Sequence, residues 1–209
     1  MTTGPFRAIP GSWRSDAFKS QMPMLWSGSS TMLFKPLEIP EVVLIELEKK
    51  QDERGFFSRM FCSDMFVERG LCADYPQWNV SFNDRRDTLR GLHFQVRPHE
   101  EIKLVSCTRG AIFDVAVDVR AGSPSYGKWV GIELSADSRS SVYIPAGFAH
   151  GYQTLTDDAE VRYCVSERYH PEAERGVRWD DPDIAIAWPK ASQRVISKRD
   201  QALPKLRDL

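Results

Sequence analysis

Residues 112–120 restrict the class of fold open to this chain. Phe113, Val115, Val117 and Val119 fall on one face, and Asp114, Asp118 and Arg120 on the other. That period of two suits an extended strand and no helix. Short apolar runs of similar kind recur at 42–47, 56–61, 103–107, 129–134, 141–144 and 160–165. Turn signals such as Arg109-Gly110 and Ala121-Gly122-Ser123-Pro124 separate them. Strand after strand without helical periods between them predicts an all-β sandwich or barrel rather than βαβ units. The best short-helix candidate is 63–70, with Ser63 as N-cap and Gly70 as its stop.

With 209 residues the chain can bury one full-sized core. Residues 1–33, rich in Ser, Gly, Thr, Pro and Met without a sustained period, read as a poorly ordered extension or a strap across a neighbour. A barrel is expected over 34–189. Residues 190–209, charged and carrying Leu203 and Leu206, read as a C-terminal tail or short helix lying on that barrel. A net charge of −1 argues against a nucleic-acid-binding surface. No run of about 18 apolar residues is present, so no membrane span is expected. The first thirty residues lack an apolar secretory core, and Cys62, Cys72, Cys107 and Cys164 share no C-x-x-C spacing. Free thiols and a cytoplasmic location follow as expectations.

Two strings carry the chemistry: Arg90-Gly91-Leu92-His93-Phe94-Gln95 and Pro145-Ala146-Gly147-Phe148-Ala149-His150-Gly151. Each sets a histidine beside glycines that let the backbone turn or be approached closely. A lone histidine is more often a satisfied core residue than a catalyst. Arg90, Lys103 and the second histidine shift that balance towards general-base work for His93. Lys103 lies in an apolar strand, where a lysine either snorkels to solvent or lines an anion-binding cavity. Tyr163 lies on another strand, where packing is the commoner role. Asp181, in Trp179-Asp180-Asp181-Pro182, is either a turn or cap residue or the carboxylate that orients a histidine. Asp52-Glu53-Arg54-Gly55-Phe56-Phe57 reads as a hairpin with a core aromatic, or as a phosphate clamp beside an aromatic platform. His99 and His170 have charged, loop-like neighbours and are expected to titrate in solvent.

The Pro-x-Gly-x-x-His of the second string resembles the second motif of cupin barrels. The metal ligands of such barrels are missing, since Gln95 and Lys103 stand in their register. The chain as a whole, from about Phe34 to Leu206, resembles the dTDP-4-dehydrorhamnose 3,5-epimerase family. The resemblance rests on the strings above and on Gln77-Trp78-Asn79, Lys103-Leu104-Val105, Asp114-Val115-Ala116-Val117-Asp118, Gly127-Lys128-Trp129 and Ile186-Ala187-Trp188-Pro189. It implies a cupin-like jelly roll without metal or other cofactor, and a homodimer in which an N-terminal strand reaches into the partner. It implies inversion at C3, C5 or both of a nucleotide-diphosphate-linked 4-keto-6-deoxy sugar. In such a sugar both protons are α to the C4 carbonyl, so their removal gives an enolate. By this resemblance His93 is the base and Asp181 its orienting partner. Lys103 stabilises the oxyanion with help from His150, and Tyr163 is the opposite-face acid. Arg54, Phe57, Gln77, Asn79 and Arg90 bind the nucleotide, the first two from the neighbouring subunit.

Departures from the family pattern fall in the recognition set. Arg59 stands for a glutamate, Tyr163-Cys164 for Tyr-Lys, and Arg168-Tyr169 for Tyr-Tyr. The alternatives are a nucleotide-sugar 3,4-ketoisomerase, an epimerase for a GDP-, CDP- or UDP-linked sugar, and a sugar-binding or metal-binding cupin.

Overall fold

A computed structural model describes residues 32–209; the expectation for 1–33 lies, except for its last two residues, outside them. The elements in chain order are β1 (Met32–Pro36), β2 (Val43–Leu47), β3 (Lys50–Asp52), β4 (Gly55–Phe57), α1 (Ser63–Val67), β5 (Gln77–Asn83) and β6 (Thr88–Gln95). They continue with β7 (Lys103–Arg109), β8 (Ala111–Asp118), β9 (Trp129–Ser135), β10 (Ser141–Ile144), β11 (Phe148–Thr154) and β12 (Ala159–Val165). Three short elements follow: β13 (Glu174–Gly176), β14 (Val195–Ile196) and α2 (Lys198–Gln201), before a 3-10 turn over Leu206–Asp208.

One sheet runs β1-β2-β10-β7-β12-β5 and the other β13-β6-β11-β8-β9. The non-consecutive order is that of the jelly roll the resemblance implied. Val105, Val142 and Val161 from the first sheet pack against Ile112, Val130 and Phe148 from the second, forming the central core. The outer face of the second sheet, with Val115 and Val117, is covered by Val177, Ile184 and Leu206 from the C-terminal segments. The outer face of the first sheet is covered by α1 and its flanks through Phe66, Phe61 and Leu71.

Both faces of the 112–120 pattern are therefore enclosed. Asp114 and Asp118 are 1% and 0% exposed. Burial opposes ionisation of Asp118, but hydrogen bonds from Arg120, Ser123 and Ser125 outweigh it and hold the carboxyl well below its ordinary value.

Several local expectations shift. The run at 56–61 forms a strand only over Gly55–Phe57, in a two-stranded ribbon with β3. Phe56 and Phe57 are exposed there instead of filling the core. The N-cap of α1 is Cys62, one residue before the expected serine, and no side chain caps it. Its end does use Gly70, at φ +69°, where the Leu71 N–H returns to the Phe66 carbonyl. β1 takes in Met32 and Leu33, so the first sheet starts within the segment read as an extension. The tail is more than a cover: β14 pairs in parallel with β6 at Thr88 and Leu89.

Strand β6 and strand β11 approach each other through glycine. A Cβ on Gly91 would stand 2.6 Å from the Gly151 Cα and 2.7 Å from the His150 carbonyl oxygen. One on Gly151 would stand 2.5 Å from the Arg90 carbonyl oxygen. The obstructing atoms are backbone, so relief requires the two strands to part. Gly151→Ala is expected to cost about 1–3 kcal/mol, seen as a lower urea midpoint at unchanged slope.

Candidate active site

The glycine contact sets His93 and His150 directly opposite each other across β6 and β11. A cavity of about 540 Å³ opens beside them, lined by Arg90, His93, Lys103, His150, Tyr163 and Asp200 among others. A second, of about 330 Å³, is lined by Gln77, Asn79, Gln95, Glu101, Tyr169 and Glu174. His93, Lys103 and Tyr163 belong to both. Three residues read separately from the sequence thus meet at one wall.

His93 Nε2 lies 2.9 Å from Asp200 Oδ1, and Asp200 Oδ2 accepts the Gly91 N–H at 3.3 Å. Asp200 is 5% exposed, on α2, whose N-cap Ser197 accepts the Asp200 N–H. Burial raises the cost of ionising Asp200. The hydrogen bond and charge of His93, with the N–H of Gly91 and the hydroxyl of Ser197, outweigh it and lower its pKa. A carboxylate there fixes Nε2 as the protonated nitrogen of His93 and leaves the lone pair on Nδ1.

The orienting partner of His93 is therefore Asp200 and not Asp181. Asp181 is 2% exposed and is occupied elsewhere. Its Oδ1 accepts the backbone N–H groups of Asp183 (2.7 Å) and Ile184 (3.3 Å), and its Oδ2 accepts that of Leu206 (2.6 Å). The turn role that Asp-Pro sequences commonly supply is the one it plays.

His150 is paired as well, its Nε2 lying 2.8 Å from Oδ2 of the buried Asp114. Lys103, 6% exposed, does not snorkel. Its ammonium is 2.9 Å from Glu101 Oε1 and donates to the His93 carbonyl at 3.2 Å, which leaves one of three N–H donors for the cavity. Burial raises the Tyr163 pKa, aided by Tyr152 and Glu101, so the phenol keeps its proton at neutral pH and can deliver it. Arg90 Nε donates to Asn83 Oδ1 at 2.8 Å. Gln95 spans two loops, donating to the carbonyls of His99 and Arg168 and accepting the His170 N–H. The Arg168 side chain is exposed and lines neither cavity.

Tyr169 belongs to a network from which Arg168 is absent: Glu174 accepts from the Tyr169 hydroxyl at 2.5 Å and pairs with Arg199 at 2.5 Å. Arg54, Phe57 and Arg59 line neither cavity. Arg54 pairs with Asp52 on the exposed β3–β4 ribbon, and Arg59 is half-buried beyond it. His99 and His170 do not stand free in solvent. Their rings stack at 3.5 Å, with Glu172 3.2 Å from His170 Nδ1. With Glu172 they form a group able to converge on an ion, away from the residues lining the two cavities.

Sequence reasoning missed Asp200, Glu101, Glu174 and Arg199. Asp114 was quoted within a strand pattern but given no role. The available signal was weak: Ser197-Lys198-Arg199-Asp200 looks like an ordinary charged helix start, and Glu100-Glu101 like a solvated turn.

Comparison with known proteins gives a consistent picture. Residues 36–208 match the family described as dTDP-4-dehydrorhamnose 3,5-epimerase. A dTDP-4-dehydrorhamnose 3,5-epimerase of Sinorhizobium fredii is 48% identical over 178 residues, covering 85% of this chain and 91% of the relative. The enzyme of that name from Escherichia coli is 44% identical over 173 residues, covering 82% and 93%. Among solved structures, a dTDP-6-deoxy-D-glucose-3,5-epimerase of Legionella pneumophila in complex with dTDP-4-keto-L-rhamnose superposes with a TM-score of 0.80 at 39% identity, covering 85% and 94%.

The lowered Asp200 pKa has a consequence for stability. Because the folded value lies below the unfolded one, the contribution is present above about pH 4 and is lost as pH falls through the folded value. Asp200→Asn should therefore lower the urea midpoint at pH 7, and the gap from the parent should close on acidification below pH ~4.

Proposed function

The chain belongs to the dTDP-4-dehydrorhamnose 3,5-epimerase family, and we propose that the wall shared by its two cavities is where the sugar is epimerised. The protein is an isomerase that inverts C3, C5 or both of a nucleotide-linked 4-keto-6-deoxy sugar by way of an enolate. The observation that carries the assignment of the site is the His93–Asp200 pair beside Lys103 and Tyr163.

Each group has one role. Nδ1 of His93 takes the proton α to the C4 carbonyl, while Asp200 stabilises the imidazolium that forms. The electron pair moves onto the C4 oxygen, where the free N–H of the Lys103 ammonium meets the developing charge. Tyr163 returns a proton from the other face, and its raised pKa keeps that proton available. His150, held by Asp114, adds a fixed polar group to the same wall. Gln77, Asn79, Arg90 and Tyr169 bind the nucleotide end, and a thymidine diphosphate is the substrate class that the family relationship favours. No step above calls on a metal or redox group.

Strand β5 supports a homodimer. Its alternation is inverted for an edge strand: Gln77, Asn79 and Ser81 line the cavities, while Trp78, Val80 and Phe82 are 61%, 65% and 43% exposed on the outside. An apolar outer stripe of this kind suits a second copy of the chain. Arg54 and Phe57, too exposed to serve their own cavity, then reach the partner's, and Arg59 lies near that crossing. Free cysteines agree with a reducing, cytoplasmic compartment. No helix of the described residues is long and apolar enough to cross a membrane.

The deciding experiment uses dTDP-4-dehydro-6-deoxyglucose in deuterated water. The parent should place deuterium at C3, at C5 or at both. His93→Ala should slow that exchange by about a hundredfold or more while dTDP still binds. Undiminished exchange in His93→Ala would remove the histidine from the mechanism. For the assembly, Val80→Asp should convert a dimer into monomers in light scattering, and a parent that is already monomeric would reject the dimer.

A further inference from the structure

Asp200 sits midway along a segment that is tied down at both ends. At the near end β14 pairs with β6, and Ser197 caps α2. At the far end the backbone N–H of Leu206 donates to Asp181 Oδ2 at 2.6 Å, and the Arg178 N–H donates to the Pro204 carbonyl at 2.9 Å. Arg207 adds a two-pronged pair with Asp183 at 2.9 and 2.8 Å. Leu206 itself is 5% exposed, in the cluster with Val177 and Ile184.

Asp181 is a buried carboxylate that makes no close ion pair among the described residues: Arg178, whose charge acts on it, pairs with Asp180, and three backbone N–H groups satisfy Asp181. Two of these come from its own turn and one from the tail. A carboxylate is not needed to form that turn alone; asparagine caps equally well. The second oxygen is what a charged acceptor adds, and that oxygen is given to the tail.

We propose that Asp181 is a positioning residue for epimerisation: by holding the Leu206 N–H it fixes the C-terminal segment so that Asp200 stays on His93. The proposal rests on the assignment of His93 and Asp200 given above. Asp181 touches no reacting atom and acts only through Asp200. Asp181→Asn isolates this function. The amide oxygen stays with the two donors of the turn, and the NH₂ group then faces the Leu206 N–H, donor against donor. The turn survives while the tail loses its acceptor.

The test is a double-mutant cycle read by kcat and by dTDP affinity, using Asp181→Asn, Asp200→Asn and the pair. Asp181→Asn is expected to lower kcat about tenfold while dTDP affinity stays within about twofold. In the Asp200→Asn background it is expected to cost nothing further, within about twofold, because the residue it positions is already disabled. A general loss of structure would instead add to the Asp200 effect and weaken dTDP binding.

Deletion of residues 204–209 removes the donor while leaving Asp181 and its turn intact. It should give the same loss of kcat and the same lack of additivity, and it decides the matter if Asp181→Asn does not fold. Unchanged kcat in the variants that release the tail, with Asp200→Asn impaired, overturns the positioning role alone. Additive losses overturn it too. An unimpaired Asp200→Asn overturns the assignment of the pair, and the positioning role with it.

Discussion

Gly91 and Gly151 stand back to back, and the geometry of the site follows from that contact. The smallest side chain at either position would collide with backbone across the gap. The absence of both Cβ atoms lets β6 and β11 close until His93 and His150 face each other. The register shifts immediately afterwards, between His150 and Tyr152. The bulge turns Tyr152 towards Ser81 and Asn83, and through Asn83 towards Arg90. One steric concession thus places the histidine proposed as the base, its neighbouring histidine and an arginine of the cavity.

Charge in the cavity is arranged in matched pairs. His93 has Asp200, His150 has Asp114, and Lys103 has Glu101. Each carboxylate is buried or nearly so, and an unpaired charge at that depth would carry a large desolvation penalty. Pairing offsets that penalty and leaves each basic group with a defined face towards the cavity. The same arrangement limits the net positive charge of the site. Arg90 and Arg199, whose side chains are the more solvent-accessible, are then the cations that the proposed site offers to a diphosphate. Arg199 is itself paired with Glu174.

The fold was legible in the sequence because strand periodicity and turn residues agree with the architecture over most of the chain. Among the strands not anticipated, two escaped for clear physical reasons. β1 is short and lies at the end of a featureless segment. β5 has polar residues where the barrel interior is and apolar ones outside, the reverse of the usual pattern. In the site, His93 and Lys103 could be picked out because each is an unusual residue for its strand, whereas Tyr163 is an ordinary strand residue that only the family resemblance marked. Asp181 and Asp200 could not be told apart in the same way. Asp181 lies in a distinctive Trp-Asp-Asp-Pro string whose rigidity serves a turn, whereas Asp200 lies among ordinary charges. What selects Asp200 is the pairing of β14 with β6, a contact between distant segments that no local pattern encodes.

The His93–Asp200 pair joins residues 107 positions apart. It depends on β14 docking in parallel against an edge of β6, and β6 must already be held by β11. Contacts of such separation carry a large chain-closure cost and tend to form late. During refolding from denaturant, the sheets should therefore regain their spectroscopic signal before turnover returns. The interval between the two reports how long the barrel exists with His93 still unoriented.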